Sequence, residues 1–314
     1  MSDILTVGTR RRWRIPSIAL IAILIATNSA CSPKKFAINR LGDALAGSGS
    51  TFSSDDDPEF IESAVPFSLK LLESLLAESP DHRGMLVAAS SGFTQYAYAF
   101  IQQQADEAED RDLARATALR GRARRMYLRA RGYGLRALEV KHRGFEAALR
   151  KDSKGAVRLA TKSDVPALYW TAACWGAAIS LSKDQPDVIA DQPYVEALID
   201  RAFELDPDWD HGAIHSFLIA YESSRPGAAA GAEDRARKHF ERVMALTKGF
   251  QSGPLVSLAE NVAQPKQNRK EFESLLNRAL AVDVNAKPEH RLVNLAMQRR
   301  ARWLLSRADQ LFVE

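Results

Sequence analysis

Cysteine is almost missing from this chain: two residues in 314, Cys31 and Cys174. Two cysteines cannot build a disulfide framework, and neither stands in a CxxC or zinc-ligand spacing. Cys174 lies among Ala172, Ala173 and Trp175 in an apolar helical stretch, so a buried, inert thiol is expected. Histidine is scarce at six. There is no G-x-S-x-G, no P-loop and no H-E-x-x-H, and no cofactor or enzyme activity is expected. No stretch alternates in the manner of a half-buried strand, which leaves an all-α chain. The N-terminal apolar run, Ile15 to Ala26, is too short for an ordinary spanning helix. A polybasic tail is also missing. Residues 1–30 hold four arginines and one aspartate, three of the four net positive charges of the chain. The remainder is nearly neutral and carries no nucleic-acid motif, so no nucleic-acid partner is expected despite a pI near 9.0.

What is present begins at the N-terminus. The basic cluster TRRRWR precedes the apolar run and then TNSAC, the layout of a secretory signal. Ser29-Ala30-Cys31 resembles a bacterial lipoprotein cleavage site, which implies a lipidated Cys31. Asn28 departs from the leucine-like residue usual there, and secretion with a different cut is the alternative. The paired arginines are also loosely similar to a twin-arginine export signal. Residues 1–30 are thus expected to be a signal peptide. Residues 31–57, rich in Ser, Gly and Asp, read as a flexible tether with at most a loosely ordered segment at Phe36–Leu45. Residues 58–314 form a helical-repeat domain, opening at Asp57-Pro58 as cap and first turn.

Beyond Asp57 the apolar residues recur at helical spacing. Phe67, Leu71, Leu72, Leu75 and Leu76 read as one face. So do Leu168, Ala172, Trp175 and Ile179; Val195, Leu198, Ile199, Ala202 and Leu205; and Ile214, Phe217, Leu218 and Tyr221. Asp206-Pro207 ends one helix, and Asp208 or Asp210 is placed to cap the next. A tetratricopeptide-like pattern emerges: Val195, Ile199, Ala202 and Pro207, with Trp175-Gly176 and Ile179 in the preceding helix. Further instances are Ser68/Leu72/Leu75/Pro80, Ala236/Phe240/Val243/Lys248, Phe272/Leu276/Ala279/Val284, and the partial Ala123/Tyr127/Ala130. The expected fold is an all-α, degenerate tetratricopeptide-like helical-hairpin solenoid.

The runs YLRARGYGLRAL, ALYWTAACWGAAISLSKD, LDPDWDHGAIHSFLIAYESSRPG, HFERVMAL and NRKEFESLLNRALAVD, with RLVNLAMQRRARWLLSRADQLF, together resemble the TatT component of TRAP (tripartite ATP-independent periplasmic) transporters. The resemblance spans most of residues 58–312. It implies a periplasmic, lipid-anchored accessory component that forms a homotrimer, carries a pore or ligand channel in each protomer, and docks a periplasmic substrate-binding P component. Ser32 after Cys31 points to the outer membrane, by analogy with lipoprotein sorting. The rival is a tetratricopeptide scaffold lipoprotein for envelope assembly, with no small-molecule ligand.

Candidate site residues are few. Asp208, Asp210, His211 and His215 could approach a metal, but no further ligand completes the set; helix capping and a helix seam explain them better, and no metal is expected. Trp170 falls off the 168/172/175/179 stripe and, with Trp209, is a ligand or channel candidate. His215 joins them. Arg299 lies on the stripe Leu292, Leu295, Ala296 and Trp303, where a charge needs either an acidic partner or a wet channel. The basic segment Arg115–Arg158 holds 14 Lys/Arg against Glu139, Glu146 and Asp152. It reads as a solvated face, or as a surface for an acidic partner, lipid headgroups or carboxylate ligands.

Overall fold

The computed structural model describes residues 33–47, 49–225 and 230–313. Among these there is no strand; every regular element is a helix. Helix α1 (Pro33–Gly47) and the short α2 (Gly49–Ser53) precede α3 (Pro58–Glu78). The Asp57 carboxylate accepts from the Phe60 amide at 2.9 Å, and Pro58, which has no N–H to satisfy, fills the first turn. Ser79-Pro80 stops the helix. Helix α4 (Arg83–Tyr96) loosens into a π-helical stretch, Ala97–Gln102, and resumes as α5 (Gln103–Ala108). Asp112 caps the long α6 (Leu113–Glu139), accepting from the Arg115 amide at 2.9 Å. After α7 (Phe145–Lys151) and α8 (Ser153–Val157) come α9 (Val165–Ser180), α10 (Pro186–Ile189), α11 (Gln192–Leu205) and α12 (Trp209–Tyr221). The last five are α13 (Ala232–Thr247), α14 (Gly253–Leu258, prolonged by a π-helical Ala259–Ala263), α15 (Arg269–Leu280), α16 (Arg291–Ser306) and α17 (Ala308–Leu311).

Small residues set the closest approaches. Ala116, Ala123, Ala130, Gly134 and Ala137 give α6 a narrow buried face, on which α4 and α9 lie. A Cβ added at Gly134 would stand 2.2 Å from Thr171 Oγ1 of α9, so only glycine fits that crossing. Trp175 is fully buried there; its indole N–H donates to Asp191 at 3.1 Å and the Arg131 guanidinium lies 4.8 Å from its ring. Burying a side chain of this size contributes about 2–3 kcal/mol. Ala202, Val243 and Ala279 are likewise inaccessible.

The helices pack as hairpins: α9 on α11, α12 on α13, α14 on α15, α15 on α16. One helix of successive hairpins also touches the next, from α4 to α9, α12, α14 and α16. The chain then returns on itself, because α16 contacts α2 and α3 as well as α15. Two apolar cores result, one spanning α3 to α12 and one spanning α12 to α17, with Tyr98 packed against both.

Three local expectations are corrected. Residues 33–47 and 49–53 are helical instead of a tether: Ile38, Gly42, Leu45 and Ala46 recur at helical spacing, and Gly42 lets α1 settle against Met85. Phe67 is 73% exposed, because Ile61, Leu69, Leu72 and Leu76 form the buried face of α3. The buried face of α16 is Asn294, Met297, Gln298, Ala301 and Leu304, rotated from the apolar stripe read in the sequence. Its amides are satisfied at neighbouring backbone: Asn294 accepts from the Ser252 amide at 2.9 Å and donates to the Phe250 carbonyl at 2.8 Å. Gln298 donates to the carbonyls of Ala279, Leu280 and Val282.

Candidate functional site

The site candidate is built around the break between α11 and α12. Asp210, His211 and Gly212 have φ of 48°, 56° and 88°, three successive left-handed residues inside the first turn of α12. Glycine bears this without cost, whereas Asp210 and His211 each carry roughly 1–2 kcal/mol of strain. The break is held by packing, since a Cβ on Gly212 would meet Leu246 at 2.9 Å. Neither aspartate caps the helix as expected. Asp208 is drawn away by Arg242, which grips both its carboxylate oxygens.

This break aims Trp209 across to α9. Its ring lies 5.0 Å from that of Tyr169, and Tyr169 meets Trp170 edge-on, also at 5.0 Å. All three rings are half-buried. Burial, reinforced by the nearby Asp210 carboxylate, holds the Tyr169 hydroxyl neutral far above its ordinary range. From the same break His211 turns edge-on to His290 at 5.4 Å, and Gln251 approaches His290 Nδ1 at 3.4 Å. Trp170 and Trp209 are thus brought together, on a line of side chains that runs from α9 through the start of α12 to the turn before α16.

His215 has a different neighbourhood. Its Nδ1 lies 2.8 Å from Nδ1 of His239 on α13, and Phe203 sets its ring edge-on to both imidazoles. One nitrogen of that pair must carry a proton and the other accept it. Burial lowers the pKa of both; His239, further depressed by His215, is pushed down to about 4. Asp208 stands 3.7 Å from His215 Nε2 and Glu222 4.0 Å from His239 Nε2. His211 and His215 therefore turn to separate partners, and among the described residues no group of three or more His, Cys, Asp or Glu is arranged for a metal. Cys174 is buried and free, its thiol raised to about 12 by burial.

Where the chain returns on itself, ion pairs join the apolar contacts of Leu292 and Tyr98. Arg299 holds Glu107 through two bonds of 2.8 and 2.5 Å. Arg300 donates to Asp106 at 2.6 Å and to Glu260 at 2.6 Å, and Arg307 donates to Asp110 at 3.0 Å. Arg291 donates to the Ser54 carbonyl at 2.8 Å. Arg299 thus has an acidic partner and lies on the exposed side of α16, because the buried face is rotated from the stripe that placed it. Arg300, Asp106, Glu260, His239 and the His211/His290 contact were not legible as a set. Their partners lie up to 194 residues apart, and no local spacing announces such pairs. The α6 arginines are spread over Asp106 and Glu109 (Arg120), Glu73 (Arg129) and Asp191 (Arg131). Cys31 lies outside the described residues.

The model of the TRAP transporter T-component family matches residues 54–312. The chain belongs to that family. A relative of similar length, an uncharacterized protein of Treponema pallidum (strain Nichols), is 27% identical over 270 residues, covering 84% of this chain and 83% of its own. T-components are accessory proteins of TRAP transport in the periplasm and envelope, a transport family and not a known enzyme family. Among the described residues no helix is long and apolar enough to cross a membrane.

Proposed function

We propose that this T-component is a lipid-anchored envelope protein that holds a small ligand against Tyr169, Trp170 and Trp209 and exchanges it with a docked periplasmic P component. One observation carries the ligand reading: the half-buried rings are gathered across two hairpins by a backbone break that costs strain to keep. Strain of this kind persists where surrounding structure over-determines it, and it clusters at binding sites. Aromatic faces with a nearby carboxylate and imidazoles suit a ligand with one apolar and one polar end. The row of contacts from α4 through α9, α12 and α14 to α16, with α16 returning to α2 and α3, supports a passage beside those rings.

Anchoring rests on Cys31 as the lipidated first residue after a signal peptide of residues 1–30, with Ser32 directing it to the outer membrane. A homotrimer is the proposed assembly, and the tetratricopeptide register the proposed origin of the hairpins. Native mass spectrometry of the lipidated protein, released in mild detergent, tests the reading. A trimer carrying a ligand adduct is expected, with the adduct lost and the trimer kept in Trp170→Ala. A ligand-free wild-type trimer that still binds the P component would replace ligand exchange with a scaffold role.

A further inference from the structure

We propose that the outward face of α1 lies in the membrane surface, with Phe36 and Leu41 in the boundary between headgroups and acyl chains and Lys35 and Arg40 against anionic lipid phosphates. This rests on the lipidation of Cys31 proposed above.

The first observation is that α1 is fixed to the body. Asn39 accepts from the Ser79 hydroxyl at 2.8 Å, Asp43 pairs with His82 at 3.2 Å, and Gly42 is buried against Met85. The second is how close this helix begins to the anchor. Pro33 opens α1 two residues after Cys31, and two residues span at most about 7 Å. A headgroup layer is of similar thickness, roughly 5–8 Å on each side of the bilayer. A lipidated Cys31 therefore leaves the start of α1 no room to clear the membrane.

The third observation is what α1 turns outward. With Ile38, Asn39 and Gly42 directed to the body, the opposite face presents Phe36, Ala37, Arg40, Leu41 and Ala44. Phe36 is 61% exposed and Leu41 47%, a pair of large apolar side chains that the body leaves uncovered. Arg40 sets its guanidinium 5.3 Å from the Phe36 ring, cation beside aromatic, and Lys35 is exposed in the first turn of the helix. Apolar side chains mixed with Lys and Arg on one helix face is the composition of interfacial helices. Asp43, at the edge of this face and 65% exposed, reaches His82 at 3.2 Å. The body would then be held in one orientation on the membrane instead of swinging on a leash.

Depth-dependent quenching in vesicles is the test. The full lipidated protein is reconstituted into vesicles of phosphatidylethanolamine and phosphatidylglycerol that contain doxyl-labelled lipid. A polarity-sensitive dye is placed on Phe36→Cys, Leu41→Cys or, as a control on α15, Lys270→Cys. Cys174 is buried and Cys31 is blocked by its lipid linkage. Quenching at positions 36 and 41 should exceed that at 270 several-fold, and should weaken when phosphatidylcholine replaces phosphatidylglycerol. Vesicle-bound protein whose labels at 36 and 41 are quenched no more than at 270 overturns the membrane face and leaves the anchor standing. If Cys31→Ser, expressed without residues 1–30, fractionates with membranes as the parent does, the anchor fails, and the quenching at 36 and 41 alone decides the membrane face.

Discussion

Arg299 and Arg300 are neighbours on α16 with different surroundings. The Arg299 side chain is 45% exposed and bound to one glutamate, whereas Arg300 is 13% exposed between Asp106 and Glu260. An exposed pair contributes about 0–1 kcal/mol, so Arg299→Met should hardly move the urea midpoint. Removing Arg300 strands two poorly hydrated carboxylates, and Arg300→Met should cost on the order of 2–3 kcal/mol, somewhat under the figure for full burial. Equal losses in the two variants would contradict the burial difference. The His215–His239 pair has a pH signature. Both folded-state values lie below the ordinary 6.5, so the unfolded chain binds more protons in the acid range. The stability from this pair is complete above about pH 6.5 and is lost as pH falls toward 4. The groups facing it are Asp208 and Arg242 on one side, and Glu222, Arg225 and Arg235 on the other. His239→Asn retains a polar atom near Nδ1 without the titration. Urea midpoints at pH 7 and pH 5 should differ less in that variant than in the parent; an unchanged difference would assign the acid sensitivity elsewhere.

At the scale of elements, apolar residues at helical spacing made the helices legible, and caps made their ends legible. Asp57-Pro58 begins α3 and Pro80 follows its end, as expected. Ala202 packs where α11 meets its neighbours, and it is inaccessible. Ala202→Leu should overpack that crossing and cost about 1–3 kcal/mol; an unchanged melting temperature would count against the proposed repeat register. Two elements escaped the apolar pattern for physical reasons. Helix α16 buries Asn294 and Gln298, whose amides bond backbone carbonyls and a backbone amide, so polarity and burial part company there. Helix α1 packs through glycine and polar bonds more than through large apolar side chains, and its composition resembles a linker. The candidate site was half legible. Trp170 and Trp209 stood out as aromatics off a stripe or beside a break. Tyr169, which joins them, carries no mark of its own in the sequence, and the left-handed run at Asp210–Gly212 has no signature beyond one glycine.

For the whole molecule, the decisive feature is the return of the C-terminal end of the row, where α16 packs on α2 and α3 and Arg299, Arg300 and Arg307 pair with the acidic residues of 106–110 at the end of α5. Single-sequence periodicity describes a row of hairpins; it contains nothing about whether the row closes. The return joins the two ends of the row α4, α9, α12, α14 and α16 through α2, α3 and α5, with Tyr98 packed against both apolar cores. At high salt exposed ion pairs weaken, so any opening of this seam should grow with ionic strength, measurable as faster amide exchange in 103–108 and 291–306. No change in exchange there would make the seam a rigid joint. The most direct measurement is a crystal structure of the protein purified with whatever ligand it retains. A ligand-exchange role predicts density for a small molecule in contact with Trp170 and Trp209, on the side bounded by His211 and His290. Side chains filling that space, with no density among them in protein whose mass spectrum shows a ligand adduct, would contradict it.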